Sequence, residues 1–137
     1  MAICLIAGLL PVVASAATAG ISFGFDGGKT EANVEEGQVA YFFTEEGRVH
    51  NNNNEATEDN YHIKVDYTGD EPVIYFKGAN LSAPKDTIVL KGSSDVDSYS
   101  FVIEEDSTIE STGGNCITVQ NAHLTISGEG RLTINAM

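Results

Sequence analysis

The sequence has no tryptophan, two cysteines and three prolines, and its seven lysines and arginines face 20 aspartates and glutamates. Each shortage excludes something. Without tryptophan, any flat apolar surface offered to a ligand has to come from tyrosine or phenylalanine. With only Cys4 and Cys116, loss of an N-terminal segment leaves one thiol and no intramolecular disulfide, so packing alone has to hold the fold. A net charge of −13 repels phosphate backbones and anionic headgroups, which argues against nucleic acid and membrane surfaces as partners. Arg48 and Arg131 are the only arginines, too few and too far apart to read as the charge-stabilising cluster of a polysaccharide lyase.

The N-terminal stretch MAICLIAGLLPVVASAATAG has an apolar run from Ala2 to Val13, interrupted by Pro11 and followed by Ala14-Ser15-Ala16 and Ala17-Thr18-Ala19. A membrane span needs about 20 apolar residues. This shorter run, ending in two A-x-A triplets, reads as a secretory signal peptide over residues 1–19, so the expected location is extracellular or cell-surface, with no membrane insertion of the mature chain. No lysine or arginine precedes the run, which points to a start further upstream. The remaining roughly 120 residues suit one domain of modest core.

Residues 20–60 form an acidic capping region in which ISFGF and VAYFF read as short strands and Asn51 to Asn54 as a loop. From residue 61 the pattern sharpens. YHIKVDY places Ile63, Val65 and Tyr67 on one face, TGDEP turns the chain, and VIYFKG completes a hairpin. Beyond Asn80 the chain repeats itself. A shift of 23 residues sets Phe101 on Leu124, Ile103 on Ile126, Ile109 on Leu132 and Ser111 on Ile134; a shift of 29 sets Ile88 on Ile117 and Leu90 on Val119. The difference of six is assigned to an insertion in KGSSDVDSYS. Ile126 is accordingly expected to stack inside an aliphatic column.

Strands this short and this closely spaced do not suit a β-sandwich, the alternative all-β architecture, whose turn signals come every 8–12 residues. They suit a solenoid, in which each strand pairs with its counterpart in the next rung and glycine, asparagine and serine make the corners. The expected fold is therefore all-β: N-terminal capping strands and a hairpin over residues 20–60 and into 61–137, followed by two to three rungs of a right-handed parallel β-helix. After Ile134 only Asn135, Ala136 and Met137 follow, so the reading is of a chain truncated at its C-terminus, with an open rung able to self-associate.

TIVLKG, DSTIES and ITVQNAHLTISGEGRLTI, preceded by NYHIKVDYTGDEPVIYFKGANLSA, resemble the N-terminal part of secreted bacterial carbohydrate-binding-domain-containing proteins of the right-handed parallel β-helix type. The resemblance covers residues 60–137. It implies an extracellular, sugar-binding role and carries over no site residues.

Sugar binding calls for exposed aromatic rings beside polar groups, because a pyranose offers C–H faces to stack and hydroxyls to bond. Most tyrosines lie on alternating strands and read as core. Tyr99, with Asp95 and Asp97 in the inserted SSDVDSYS loop, is the expected ligand contact, since inserted loops often carry function. Asp95 and Asp97, and after them Glu104-Glu105-Asp106, are the candidate oxygen ligands for Ca²⁺; no other cofactor is indicated. His50, His62 and His123 lack metal-ligand spacing, and Cys116 has no nearby base. The expected function is a non-catalytic glycan-binding or adhesive module. The alternatives are the N-terminal part of a β-helix lyase or glycosidase and a purely structural cap or stalk.

Overall fold

Alternation of apolar and polar residues becomes strands throughout, as in SYSFVIEE, where Tyr99, Phe101 and Ile103 point inward and Ser98, Ser100 and Val102 outward. The computed structural model describes residues 16–51 and 56–137. Most of the expected signal segment and of the Asn51 to Asn54 loop lies outside them. The described residues hold fourteen strands and no helix: β1 (Thr18–Phe25), β2 (Gly28–Glu31), β3 (Val34–Glu35), β4 (Val39–Glu45), β5 (Arg48–Asn51), β6 (Ile63–Asp66), β7 (Val73–Lys77), β8 (Asn80–Ala83), β9 (Ile88–Lys91), β10 (Ser98–Glu105), β11 (Ser107–Ser111), β12 (Ile117–Gln120), β13 (His123–Ser127) and β14 (Leu132–Ala136).

They form three sheets, in the orders β12-β9-β1-β2 with β3 beside β1, β13-β10-β7-β6-β4-β5, and β14-β11-β8. From β7 onward, strands three apart in sequence pair in parallel: β7 with β10 and β10 with β13, β8 with β11 and β11 with β14, β9 with β12. Each sheet thus receives one strand from each successive triplet. Inward side chains line up in columns, Ile74 with Phe101 and Ile126, and Leu81 with Ile109 and Ile134. VIYFKG is therefore more than the second half of a hairpin: β7 pairs antiparallel with β6 on one side and starts the first parallel triplet on the other.

The register corrects the sequence alignment. Ile117 sits opposite Ile88, as expected, but Ile126 sits opposite Phe101 and Ile134 opposite Ile109, an offset of 25 rather than 23. The insertion between β9 and β10 is then four residues, the difference between offsets of 29 and 25. A slip of two leaves every side chain on its own face, so the apolar pattern cannot distinguish the two registers. The corner between β13 and β14 does. A Cβ on Gly128 (φ 112°) would fall 2.3 Å from the Ile103 carbonyl oxygen, and one on Gly130 would fall 2.7 Å from the Glu105 carbonyl carbon. Glycine at both positions is what lets SGEG lie against that backbone, and Asp106 Oδ1 accepts the Arg131 N–H at 2.8 Å beside it.

The N-terminal strands close one edge of all three sheets. β6 pairs antiparallel with β7, and β1 pairs antiparallel with β9. The edge of β8 is met by the β4–β5 turn: Ser82 N–H donates to the Gly47 carbonyl at 3.0 Å, and Asn80 N–H to Thr44 Oγ1 at 3.3 Å. Glu46 and Gly47 both have positive φ, the conformation that a two-residue hairpin loop requires. EEGRVHN is thus a turn and strand, in addition to the two short strands read from ISFGF and VAYFF. Ile21, Phe23, Phe42, Val49, Ile63 and Val65 join the triplet columns in one continuous core.

Candidate functional site

The inserted loop does not form the expected site. Tyr99 is 1% exposed, and its hydroxyl donates to the Lys91 carbonyl at 2.7 Å and accepts the Gly20 N–H at 3.0 Å. Burial holds its phenol above the ordinary value. Its ring tethers β10 to β1 and β9, leaving no face for a sugar. Val96 from the same loop is also buried, which draws the chain inward between Asp95 and Asp97. Both aspartates are exposed; Asp97 Oδ1 accepts the Ser98 hydroxyl at 3.2 Å, and the Asp95 N–H bonds Ser93 Oγ. Among the described residues no three His, Cys, Asp or Glu side chains gather as a metal site would need. Glu104 and Asp106 serve the fold instead, accepting the Tyr61 hydroxyl and the Arg131 N–H.

A different set of aromatics is displayed. On β4, Phe42 is buried, so Tyr41 and Phe43 face outward; on β7, Ile74 and Phe76 are buried, so Tyr75 faces outward with them. Cross-strand pairing sets Tyr41 beside Lys64, Lys64 beside Tyr75, and Tyr75 beside Val102, a single row across four strands. Tyr61, just before β6, lies under the row with its ring 5.6 Å from that of Tyr41 and its hydroxyl donating to Glu104 Oε1 at 2.5 Å. The Phe43 ring extends the patch, 4.2 Å from His62. Nδ1 of His62 accepts the Thr44 N–H at 2.9 Å, which places the ring proton of the neutral form on Nε2 and fixes the ring's orientation.

The charges on this face are mixed. Lys64 Nζ stands 4.2 Å above the Tyr75 ring and 5.5 Å from that of Tyr61, and Lys77 Nζ is 5.4 Å from Tyr61. Among the described residues neither lysine is in an ion pair, although carboxylates are plentiful. The Tyr41 end is acidic: burial raises its phenol, and Glu58, Asp66 and Asp59 add to the rise. Tyr61 is raised further, by burial first and then by its bond to Glu104. These phenols stay neutral donors at any physiological pH.

Ring faces, ammonium donors and carboxylate acceptors on one sheet surface are what a hydroxyl-rich pyranose can use. Lys64 covers Tyr75, yet an exposed cation–π contact is worth only about 0.5–1 kcal/mol, so the ammonium can swing to a hydroxyl while a ring takes its place. The signal was present in the sequence. The alternation that places Phe42 inside places Tyr41 outside, and the one that places Ile74 and Phe76 inside places Tyr75 outside, but their meeting across Lys64 becomes readable only with the cross-strand register. No protein family, curated protein or solved structure matches this chain.

Proposed function

We propose that this chain is a secreted, non-catalytic glycan-binding module whose binding surface is the tyrosine–lysine face of β4, β6 and β7, on the capped beginning of a right-handed parallel β-helix. The observation that carries the function is the row Tyr41, Lys64, Tyr75, which presents half-buried rings beside an ammonium group that is in no ion pair among the described residues. The mixed charge favours a neutral, hydroxyl-rich sugar over an acidic one. For the fold, support comes from the parallel pairing of strands three apart in sequence and from the right-handedness that parallel crossovers nearly always take. For export, it comes from the A-x-A triplets. Removal after Ala16 leaves β1 whole, whereas removal after Ala19 would delete Thr18 and Ala19, which pair with Glu35 and Val34. Ala19 is fully buried, so the mature chain is expected to begin at Ala17.

A glycan array probed with the exported protein tests the binding. Tyr41→Ala and Tyr75→Ala should each weaken binding about tenfold or more while leaving the melting temperature nearly unchanged, because both side chains face outward. Undiminished binding by the double variant would remove the site. A second reading, a cap that begins a structural stalk, is favoured by the sealed edge at β1, β6 and the β4–β5 turn; an array on which nothing binds would leave that one standing.

A further inference from the structure

A second surface has the opposite character. On the outer face of β1 and β9, a trough of about 680 Å³ is lined by Lys29, Lys85 and Lys91, with Phe25 and Pro84 as its apolar walls. Three of the chain's seven basic residues thus line one groove of a molecule with net charge −13. One carboxylate, Asp86, lies in its wall, and Asp86 Oδ1 is already engaged with the Asn115 N–H at 2.9 Å. Lys29 pairs with Glu31 at 2.8 Å, but both are about half exposed or more, so that pair costs little to open.

The wall that carries Lys85 is rigid. Ser111, fully buried, donates its hydroxyl to the Lys85 carbonyl at 2.6 Å; Thr87, also fully buried, donates to the Glu110 carbonyl at 2.6 Å. The Gly24 N–H bonds the Thr87 carbonyl at 2.6 Å, and a Cβ on Gly24 would fall 2.4 Å from the Asp86 carbonyl oxygen. Gly113 and Gly114 of the next corner close against Pro84 and Lys85 just as tightly. The glycines therefore let two backbones and a corner hold the loop in place before any ligand arrives, which lowers the ordering cost of binding.

We propose that this trough binds a tetrahedral oxyanion, a phosphate or sulfate ester carried on a glycan chain. All three cations are lysines. A lysine acts as a point charge on an anion with several equivalent oxygens, whereas a planar carboxylate is best recognised by the guanidinium fork that the trough lacks. Lys29 and Lys91 sit beside Gly24 and Gly20 in the register, four residues apart along β1, or about 13 Å at the rise of a strand. That spacing calls for a ligand longer than a free ion, and the Pro84 ring, with the part of Phe25 left open by the Arg48 guanidinium 4.3 Å from its centroid, offers apolar surface for the sugars between esters. The inference does not depend on the tyrosine face, which lies on another sheet.

The test is an amide chemical-shift titration of the ¹⁵N-labelled protein with dextran sulfate, poly(glycerol phosphate), uncharged dextran, polygalacturonate and inorganic phosphate. Expected are shifts at Ser22, Val89 and Gln120 with one or both ester polymers, the polymer that moves them naming the source of the ester. These should weaken at least tenfold in Lys85→Gln/Lys91→Gln and fall steeply with salt. Tyr41→Ala should leave them unchanged, so failure of the tyrosine face and failure of the trough are told apart. Three results would overturn the proposal: no shift with either ester polymer, equal affinity for polygalacturonate, or inorganic phosphate binding as tightly as the polymers. The lysines are exposed, and unchanged melting temperatures would confirm that the variants fold.

Discussion

The edge of the sheets covered by β1, β6 and the β4–β5 turn and the opposite edge at β12, β13 and β14 are built from the same kind of residue, yet they end in different environments. Ile74 and Phe101 are fully buried, and the next residue in their column, Ile126, is 48% exposed. Leu81 and Ile109 are fully buried, and Ile134, next in theirs, is again 48% exposed. Nothing in the local pattern separates these isoleucines from the residues above them. A side chain in a stacked column is buried by the layers on both sides, so its burial is a property of its layer as much as of its own strand. The N-terminal strands supply the missing layer on one edge, by pairing where they can and by the Gly47 turn where they cannot.

The comparison breaks most sharply in the core columns. Phe101→Ala, between Ile74 and Ile126 and edge-on to Phe76 at 4.8 Å, should cost about 3–5 kcal/mol, whereas Ile126→Ala in the same column should cost about 1 kcal/mol. Urea titrations of the two variants measure the gap. Equal losses would mean that another layer or molecule covers Ile126 in solution.

Next come the corners. Gly128→Ala should cost about 3 kcal/mol or more, combining a positive φ with a Cβ driven into the Ile103 carbonyl; Gly37→Ala, with φ 91° and open space around it, should cost about 1–2 kcal/mol from the backbone alone. Thermal melts would rank them, and a reversed order would contradict the register that places SGEG against β10.

Tyr99→Phe probes the tether between β10 and the capping strand β1. Losing a buried hydroxyl that serves two backbone groups should cost about 1–2 kcal/mol at neutral pH. The alkaline side adds a sign. Tyr99 and Tyr61 are raised above their ordinary 10.0, chiefly by burial, so the fold favours their neutral forms. Their contribution is complete below about pH 10 and is lost as pH climbs from there through the raised values. Stability should therefore fall above pH 10, and less steeply in Tyr99→Phe/Tyr61→Phe. A slope identical to that of the parent would show that other groups govern it.

The smallest effect is expected at the bare edge. Replacing Ile126 and Ile134 together by lysine should leave folding nearly intact and suppress any self-association through that surface, the behaviour expected of an open rung, as seen by sedimentation at rising concentration. Association unchanged by both lysines would locate it elsewhere.

Much of this was legible in the residues. The period of two gave the strands from Ile63 onward, their inward faces and the three-strand repeat; the glycines at 113, 114, 128 and 130 marked the corners. Two further turns carry readable signals in their residues: Asp26-Gly27 joins β1 to β2, and Glu46-Gly47 joins β4 to β5. The candidate loop failed for a specific reason. A register two residues off leaves Tyr99 without a partner and makes it read as an insertion residue, whereas pairing with Leu124 places it in the inward column; Val96 does belong to the insertion, but its side chain is buried.

The sequence by itself determined an all-β chain of short strands, which side of each strand is apolar, and where the backbone must turn on glycine. Those are local properties, set by each residue's φ preference and by alternation along a few neighbours. Only the tertiary structure decided the register, the outward row of Tyr41, Lys64 and Tyr75, the gathering of Lys29, Lys85 and Lys91 into one trough, and the exposure of Ile126 and Ile134. The physical reason is that an alternating pattern is unchanged by a slip of two residues. What fixes register, burial and the company a side chain keeps is contact with strands more than twenty residues away, such as the carbonyl of Ile103 against Gly128.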